Sequence, residues 1–209
     1  MLTVLKPGRM GYDEACRLQM ETVNKRITGK TGDTLILLEH PPVIIKGRSA
    51  SDGNILRDRK KLLYEGIPVL DSSRGGDVTV HAPGQVIGYP VIRLKEGGRD
   101  LHRYLHNLEE VIIRTLANYG IIAGRYEGRT GVWLGRVKIA SIGVAVRKWV
   151  AYHGFALNAN TDLRYFSYIN PCGFKGLEMT SVSKLTGRET DIEELHNYII
   201  KAFREVFRF

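Results

Sequence analysis

Three short segments carry residue types that could do covalent chemistry. In Asn170-Pro171-Cys172-Gly173-Phe174 a thiol sits between a proline and a glycine. That tight loop suits a nucleophile, and a buried, inert cysteine fits it too. In Val137-Lys138-Ile139-Ala140-Ser141-Ile142-Gly143-Val144 a lysine interrupts an apolar strand pattern. Alternation puts Lys138 on the face of Ala140 and Ile142. An ammonium there is costly to bury without a partner, so Lys138 either has one or snorkels to water from a sheet edge. The densest segment is Arg74-Gly75-Gly76-Asp77-Val78-Thr79-Val80-His81-Ala82-Pro83-Gly84-Gln85. Paired glycines let a backbone approach a ligand closely, and Arg74, Thr79 and His81 offer directional polar groups. A tight turn between two strands with a satisfied histidine also fits this segment.

Other motifs fail on spacing. Gly29-Lys30-Thr31 ends like a phosphate-binding loop, but the leading glycine position holds Asn24, and the segment follows a helix rather than a strand. There is no C-x-x-C. His102 and His106 are spaced to grip a metal from one helix face, yet no third ligand is evident, and a solvated face is the plainer reading. Cys16 falls on the apolar stripe of the first helix and reads as core.

The elements that must position these residues follow from periodicity. Residues 12–27 form a helix with Tyr12, Cys16, Met20, Val23 and Ile27 on one stripe. Residues 34–39 and 43–46 are strands broken by Pro41-Pro42, and 67–70 is another short strand. Strand-like runs between Val78 and Leu94 are interrupted at Ala82-Pro83-Gly84. Residues 101–119 form the clearest helix, with Asp100 at its N-cap and Gly120 just past its end. Strands are predicted at 132–134, 137–147 and 149–157, with Gly135-Arg136 as a hairpin turn. The last helix, about 191–206, opens with a predicted capping box of Thr190 and Glu193. This order predicts an α+β fold with a mostly antiparallel sheet. Without repeats or linkers, one domain over 1–209 is expected.

Composition narrows the class. The chain has 209 residues, 43% hydrophobic and 25% charged, the balance of a globular protein. No apolar run approaches the ~20 residues of a membrane span. The first residues lack a signal-peptide pattern, and two cysteines make no disulfide framework. Free thiols in a reducing cytoplasm are therefore expected. Thirty-one Lys+Arg against 22 Asp+Glu give +9. The excess is spread along the chain rather than blocked into a nucleic-acid tail. A distributed basic surface could steer toward nucleic acid or an acidic protein, and composition does not choose.

Together the three segments resemble one family. Arg74-Gly75-Gly76, Thr79, His81 and Pro83-Gly84-Gln85 are followed by Tyr89-Pro90, Gly131-Val132-Trp133, Lys138 to Gly143, His153 to Asn158 and Pro171-Cys172-Gly173. In order and spacing, from about residue 35 to 185, they resemble the octanoyltransferases, or lipoyl(octanoyl) transferases, of the biotin/lipoate protein ligase superfamily. Val80 stands where that family usually carries Tyr, and Ala82 where Gly is usual. The resemblance implies a mixed, mainly antiparallel sheet with packed helices. It implies Cys172 as nucleophile and Lys138 as its activating partner. The implied substrate-binding residues are Arg74, Gly75, Gly76, Asp77, Val78, Thr79, Val80 and His81, then Ser141, Ile142 and Gly143, then Gly154, Phe155 and Ala156. The implied donor is octanoyl-acyl carrier protein. The implied acceptors are lipoyl domains of 2-oxoacid dehydrogenase E2 subunits and the glycine cleavage H protein. No metal, cofactor, nucleic acid or membrane enters.

That chemistry needs these residue types. A thioester is attacked best by a thiolate, and a free cysteine is mostly protonated at neutral pH. A neighbouring ammonium favours the thiolate and can hand a proton to the departing thiol. The resulting amine can then take one from the incoming lysine. Backbone N–H groups near Gly76 or Cys172 are candidates to stabilise the oxyanion. Burying the seven carbons beyond an octanoyl carbonyl contributes about 5 kcal/mol at ~0.8 kcal/mol each. Val78, Val80, Ile142, Val144 and Phe155 are expected walls. Two rivals remain: an ATP-dependent lipoate or biotin protein ligase on the same fold, which needs no cysteine, and a non-catalytic lipoyl-domain-binding protein, for which the Cys–Lys pair is superfluous.

Overall fold

A strand with no polar side must be covered on both faces. Strand β2 (Asp33–Glu39) is such a strand. Its Leu35 and Leu37 enter the largest hydrophobic core, and Ile36 and Leu38 enter a smaller core on the opposite face. The computed structural model describes residues 1–94 and 100–209. Before β2 come β1 (Leu2–Arg9) and helix α1 (Tyr12–Ile27). After it come β3 (Val43–Lys46), α2 (Arg59–Tyr64), β4 (Val69–Asp71), β5 (Val78–His81) and β6 (Gln85–Arg93). Helix α3 (Leu101–Ala117) follows, then β7 (Gly124–Tyr126), β8 (Arg129–Leu134), β9 (Val137–Arg147), β10 (Val150–Asn158), α4 (Val182–Thr186) and α5 (Ile192–Phe207).

The strands form a seven-stranded sheet, β1-β2-β6-β10-β9-β8-β7, and a three-stranded sheet, β4-β3-β5. The β1–β2 and β3–β4 pairs are parallel and the others antiparallel, so the expected mixed, mainly antiparallel α+β architecture holds. Helices α3 and α5 cover one face of the large sheet, burying Leu108, Ile112, Leu116, Leu195, Ile199 and Phe203 with Phe155 and Leu157. Helix α1 packs on the other face through Ala15 and Val23. The small sheet has its own core, Ile44, Val78 and Val80 against Leu62, Phe166 and Met179.

Several local expectations meet the structure closely. Asp100 caps α3 by accepting from the Arg103 N–H at 3.0 Å, and Gly120 takes a left-handed φ of 69°. Gly135 turns between β8 and β9 with φ 57°. The capping box is a correction. Asp191, not Thr190, caps α5, its Oδ1 accepting from Glu193 and Glu194 N–H at 2.8 and 3.1 Å. A carboxylate answers both the orphan donors and the helix dipole, which a hydroxyl does less well. The Thr190 N–H is instead tied to Asn160 Oδ1 at 2.8 Å. Strand β1 and the short helices α2 and α4 have no counterpart in the sequence reading. Among the described residues no helix is long and apolar enough to cross a membrane.

Candidate active site

A cavity of about 550 Å³ opens where the two sheets meet. Strand β5 and the loop before it supply Arg74, Gly75, Gly76, Asp77, Val78, Thr79 and His81. Strand β9 supplies Lys138, Ser141, Ile142, Gly143 and Val144, and β10 supplies Gly154, Phe155 and Ala156. Cys172 also lines it, beside Lys138. One expected residue is absent. Val80 is fully buried in the small sheet's own core and does not line the cavity. The pleat that presents Thr79 and His81 turns Val80 the other way.

Lys138 is 2% exposed, so it does not snorkel. Its Nζ donates to Cys172 Sγ at 3.1 Å and to the Thr130 carbonyl at 3.0 Å. The Trp133 ring lies 4.8 Å from the same ammonium, a cation–π contact. Simple alternation misplaces this lysine relative to Ala140. Val132 pairs with Ala140 but Trp133 pairs with Lys138, so the register slips by one residue. Ile139 and Ala140 both enter the main core while Lys138 faces the cavity. Such irregularities re-aim side chains at functional sites.

Gly131 makes the slot for the lysine. Its φ is 133°, and a Cβ there would lie 2.5 Å from Lys138 Cε and 2.7 Å from the Ala140 carbonyl. Only glycine leaves that space at that backbone angle.

Cys172 sits in the single turn Pro171–Gly173 with φ 56° and ψ 22°. A left-handed conformation is strained for a non-glycine residue, and such strain persists where the surroundings over-determine it. Here they do. Asn170 N–H donates to the Asn54 carbonyl at 2.8 Å, and Asn54 Nδ2 donates to Asp77 Oδ2 at 2.7 Å. Beyond the turn, Lys138 N–H donates to the Glu178 carbonyl and Thr180 N–H donates to the Lys138 carbonyl, each at 2.9 Å. The chain beyond the Cys172 turn is thus tied to the Lys138 backbone, and the thiol meets the ammonium by direct contact. Cys16, by contrast, is half-buried beside Tyr12, and burial pushes its thiol above the usual range. Both thiols are free.

Arg74 organises the glycine loop. Its guanidinium donates to the carbonyls of Ile45 (2.9 Å), Asp77 (2.7 Å) and Gly75 (3.0 Å), while Nε has no acceptor. Burial works against its charge, yet an arginine stays protonated, leaving positive potential on the cavity wall. Gly143 allows the fit, since a Cβ there would lie 3.0 Å from both Arg74 Cδ and the Gly75 carbonyl.

The inner end holds polar rings. His81 Nδ1 lies 3.0 Å from Gln85 Oε1 and donates to it, and His153 Nε2 pairs with Ser73 Oγ at 3.0 Å. His40 donates through Nδ1 to the Met10 carbonyl, so its Nε2 accepts from the Tyr89 hydroxyl, each contact 2.8 Å. Burial is the main cause pulling all three imidazoles down, His81 to about 3 and His153 to about 4. These rings are neutral at working pH. An unfolded histidine titrates near ~6.5, so acid protonates the unfolded chain first. Stability is therefore complete above about pH 6.5 and is lost as pH falls toward 4, at about 1.4 kcal/mol per pKa unit for each ring. The urea midpoint should drop clearly between pH 7.5 and 5, and His153→Gln should flatten that drop. A midpoint independent of pH over this window would refute the account.

His102 and His106 are both exposed on α3. The spacing did not single out Thr130, Gly131 or Glu109. Gly131 belonged to a quoted motif, but nothing in the sequence said that its missing Cβ seats the lysine.

The comparisons with known proteins bear on the family and the fold. The profile of the lipoyl protein ligase A/B catalytic domain matches residues 11–204. An octanoyltransferase of Rubrobacter xylanophilus is 50% identical over 202 residues, 96% of this chain and 90% of that protein. One from Alkaliphilus metalliredigens is 42% identical over 209 residues, covering 100% and 96%. Among solved structures, the bipartite lipoate protein ligase of Thermoplasma acidophilum superposes with TM-score 0.72 at 18% identity, covering 99% of this chain and 83% of that one. The biotin protein ligase of Aquifex aeolicus gives 0.53 at 14% identity, covering 99% and 68%. The structural likenesses establish the fold. The sequence matches span nearly the whole chain, which belongs to the octanoyltransferases, acyltransferases of the lipoyl protein ligase A/B catalytic-domain family.

Proposed function

We propose that this protein transfers an octanoyl group from acyl carrier protein to the ε-amine of a lysine on a lipoyl domain, through a thioester on Cys172. The observation that carries this reading is the 3.1 Å contact between Lys138 Nζ and Cys172 Sγ inside the cavity. The relatives named octanoyltransferase supply the acyl group. Lipoyl domains of E2 subunits and of the glycine cleavage H protein are the proposed acceptors.

Lys138 as ammonium stabilises the Cys172 thiolate, which attacks the donor's thioester carbonyl. The phosphopantetheine thiol departs with the proton of Lys138, leaving acyl-Cys172 and a neutral amine. The acceptor lysine attacks the acyl group, gives its proton to Lys138, and expels the thiolate. The ammonium–thiolate pair is regenerated with no nucleotide consumed. Backbone N–H groups near Gly76 or Cys172 are the proposed donors to the oxyanion, with the Arg74 charge on the same cavity wall. Ile142, Val144 and Phe155 line the cavity and are the proposed walls for the acyl chain.

The test is incubation with octanoyl-acyl carrier protein and a lipoyl domain, with and without ATP. Transfer should be equal in both, and omitting the acceptor should trap one hydroxylamine-labile octanoyl group. An ATP requirement with no covalent intermediate would return the protein to the ligases.

The basic surface has a kinetic consequence under this reading. Net charge +9 attracts an acidic carrier protein, and salt screens that attraction over ~10 Å at 0.1 M. The kcat/KM for carrier-bound substrate should fall several-fold on going from low to high salt. A small-thiol octanoyl thioester should barely respond. Parallel salt dependence for both donors would remove steering by charge. Free thiols agree with the proposed reducing cytoplasm.

A further inference from the structure

One buried charge near the cavity has no part in the reaction as described. Glu109 on α3 is 4% exposed, and a carboxylate is rarely buried unless held. Its Oε2 accepts from Arg125 Nε at 3.1 Å, and its Oε1 accepts from the backbone N–H of Gly131 at 3.0 Å. Gly131 N–H and Thr130 C=O are the two ends of one peptide unit. The Thr130 carbonyl is the oxygen that accepts from Lys138 Nζ at 3.0 Å.

A peptide unit is planar and stiff, so fixing its N–H fixes the direction of its carbonyl. An anion at the N–H end and a cation at the C=O end polarise the same unit in the same sense, which strengthens both hydrogen bonds. The unit needs an external hold, because Gly131 has no side chain and glycine accepts many backbone angles.

We propose that Glu109 is a positioning residue: it anchors the peptide between Thr130 and Gly131 so that the Thr130 carbonyl aims the Lys138 ammonium at Cys172 Sγ. The inference rests on the acyl-transfer role proposed for the Cys172–Lys138 pair. Arg125, bonded also to the His106 carbonyl (3.0 Å) and Glu110 Oε2 (2.9 Å), holds the Glu109 carboxylate in place.

The test compares Glu109→Gln, which keeps an acceptor for Gly131 N–H, with Glu109→Met, which removes it at similar length. Readouts are the single-turnover acylation rate, KM for the octanoyl donor, and the alkylation rate of Cys172 by iodoacetamide at neutral pH. A misplacement of about 1 Å can cost ~10²-fold, so Glu109→Met should lose about 10- to 100-fold in acylation with KM unchanged. Its Cys172 alkylation should slow in step, and Glu109→Gln should stay within about threefold of wild type. Should Glu109→Met fail to fold, Glu109→Asp takes its place, because the shorter carboxylate withdraws from Gly131 N–H. A folded Met or Asp variant with normal acylation and alkylation overturns the proposal, as does equal loss in Gln and Met. If wild type transfers no octanoyl group, the functional reading fails, and the alkylation rates still decide the positioning.

Discussion

Cys172→Ala should form no octanoyl adduct and should lose transfer by at least ~10⁴-fold, on the scale of removing an enzyme's nucleophile. Among the described residues the cavity is lined by no second thiol. Cys16 lies outside the lining residues, half-buried against Tyr12, with its thiol pushed up by burial. Cys172→Ser sharpens the test. It keeps a polar group in the same left-handed turn beside the same ammonium. A hydroxyl is far harder to deprotonate than a thiol, so the Ser protein should also fail to accumulate an acyl group. Intact mass after brief exposure to octanoyl-acyl carrier protein, followed by peptide mapping, is the measurement. An adduct in Cys172→Ala, or one mapping to Cys16, would mean that the nucleophile is elsewhere.

Lys138→Ala should slow both half-reactions by about 10²–10⁴-fold, because one group acts as acid in the first and base in the second. Alkylation of Cys172 at neutral pH should slow as well, since the sulfur loses the cation 3.1 Å away. Lys138→Arg should fail in a more specific way. The lysine stem runs past Gly131, where an added carbon would lie 2.5 Å from Cε, so the slot is narrow for a planar guanidinium. Arginine also cannot release its proton at working pH, so deacylation should stay slow even where thiolate formation is partly restored. Timing each half-reaction in the three proteins separates these effects. Normal half-reactions and unchanged alkylation in Lys138→Ala would leave the lysine a structural role only.

The candidate site residues were legible in the sequence where they depended on residue type and less so where they depended on geometry. A cysteine between proline and glycine, and a lysine in an apolar strand, stood out by residue type; their pairing came only from the family resemblance. The grouping of Lys138 with Ala140 failed, though that with Ile142 held, because period-two alternation assumes an unbroken ladder, and the register slip beside Trp133 breaks it. Helix α3 was readable because its stripe and Asp100 cap are local properties. Strand β1 was not, since most of its residues are exposed or half-exposed and its pairing with β2 is non-local. Glu109 left no signal because its partner is a backbone N–H from another element.

The backbone pairing of Lys138 with Glu178 and Thr180 has a consequence for dynamics. Cys172 and Lys138 are far apart in sequence, yet the segment leaving the nucleophile turn is stitched to the lysine's own peptide groups. That seam holds the chain just past the Cys172 turn against the strand that carries Lys138. Their amides should therefore exchange with deuterium as one cooperative unit, and Lys138 and Thr180 N–H should share one opening free energy. An enzyme built this way arrives at each encounter already assembled, and donor binding should leave that shared exchange rate unaccelerated.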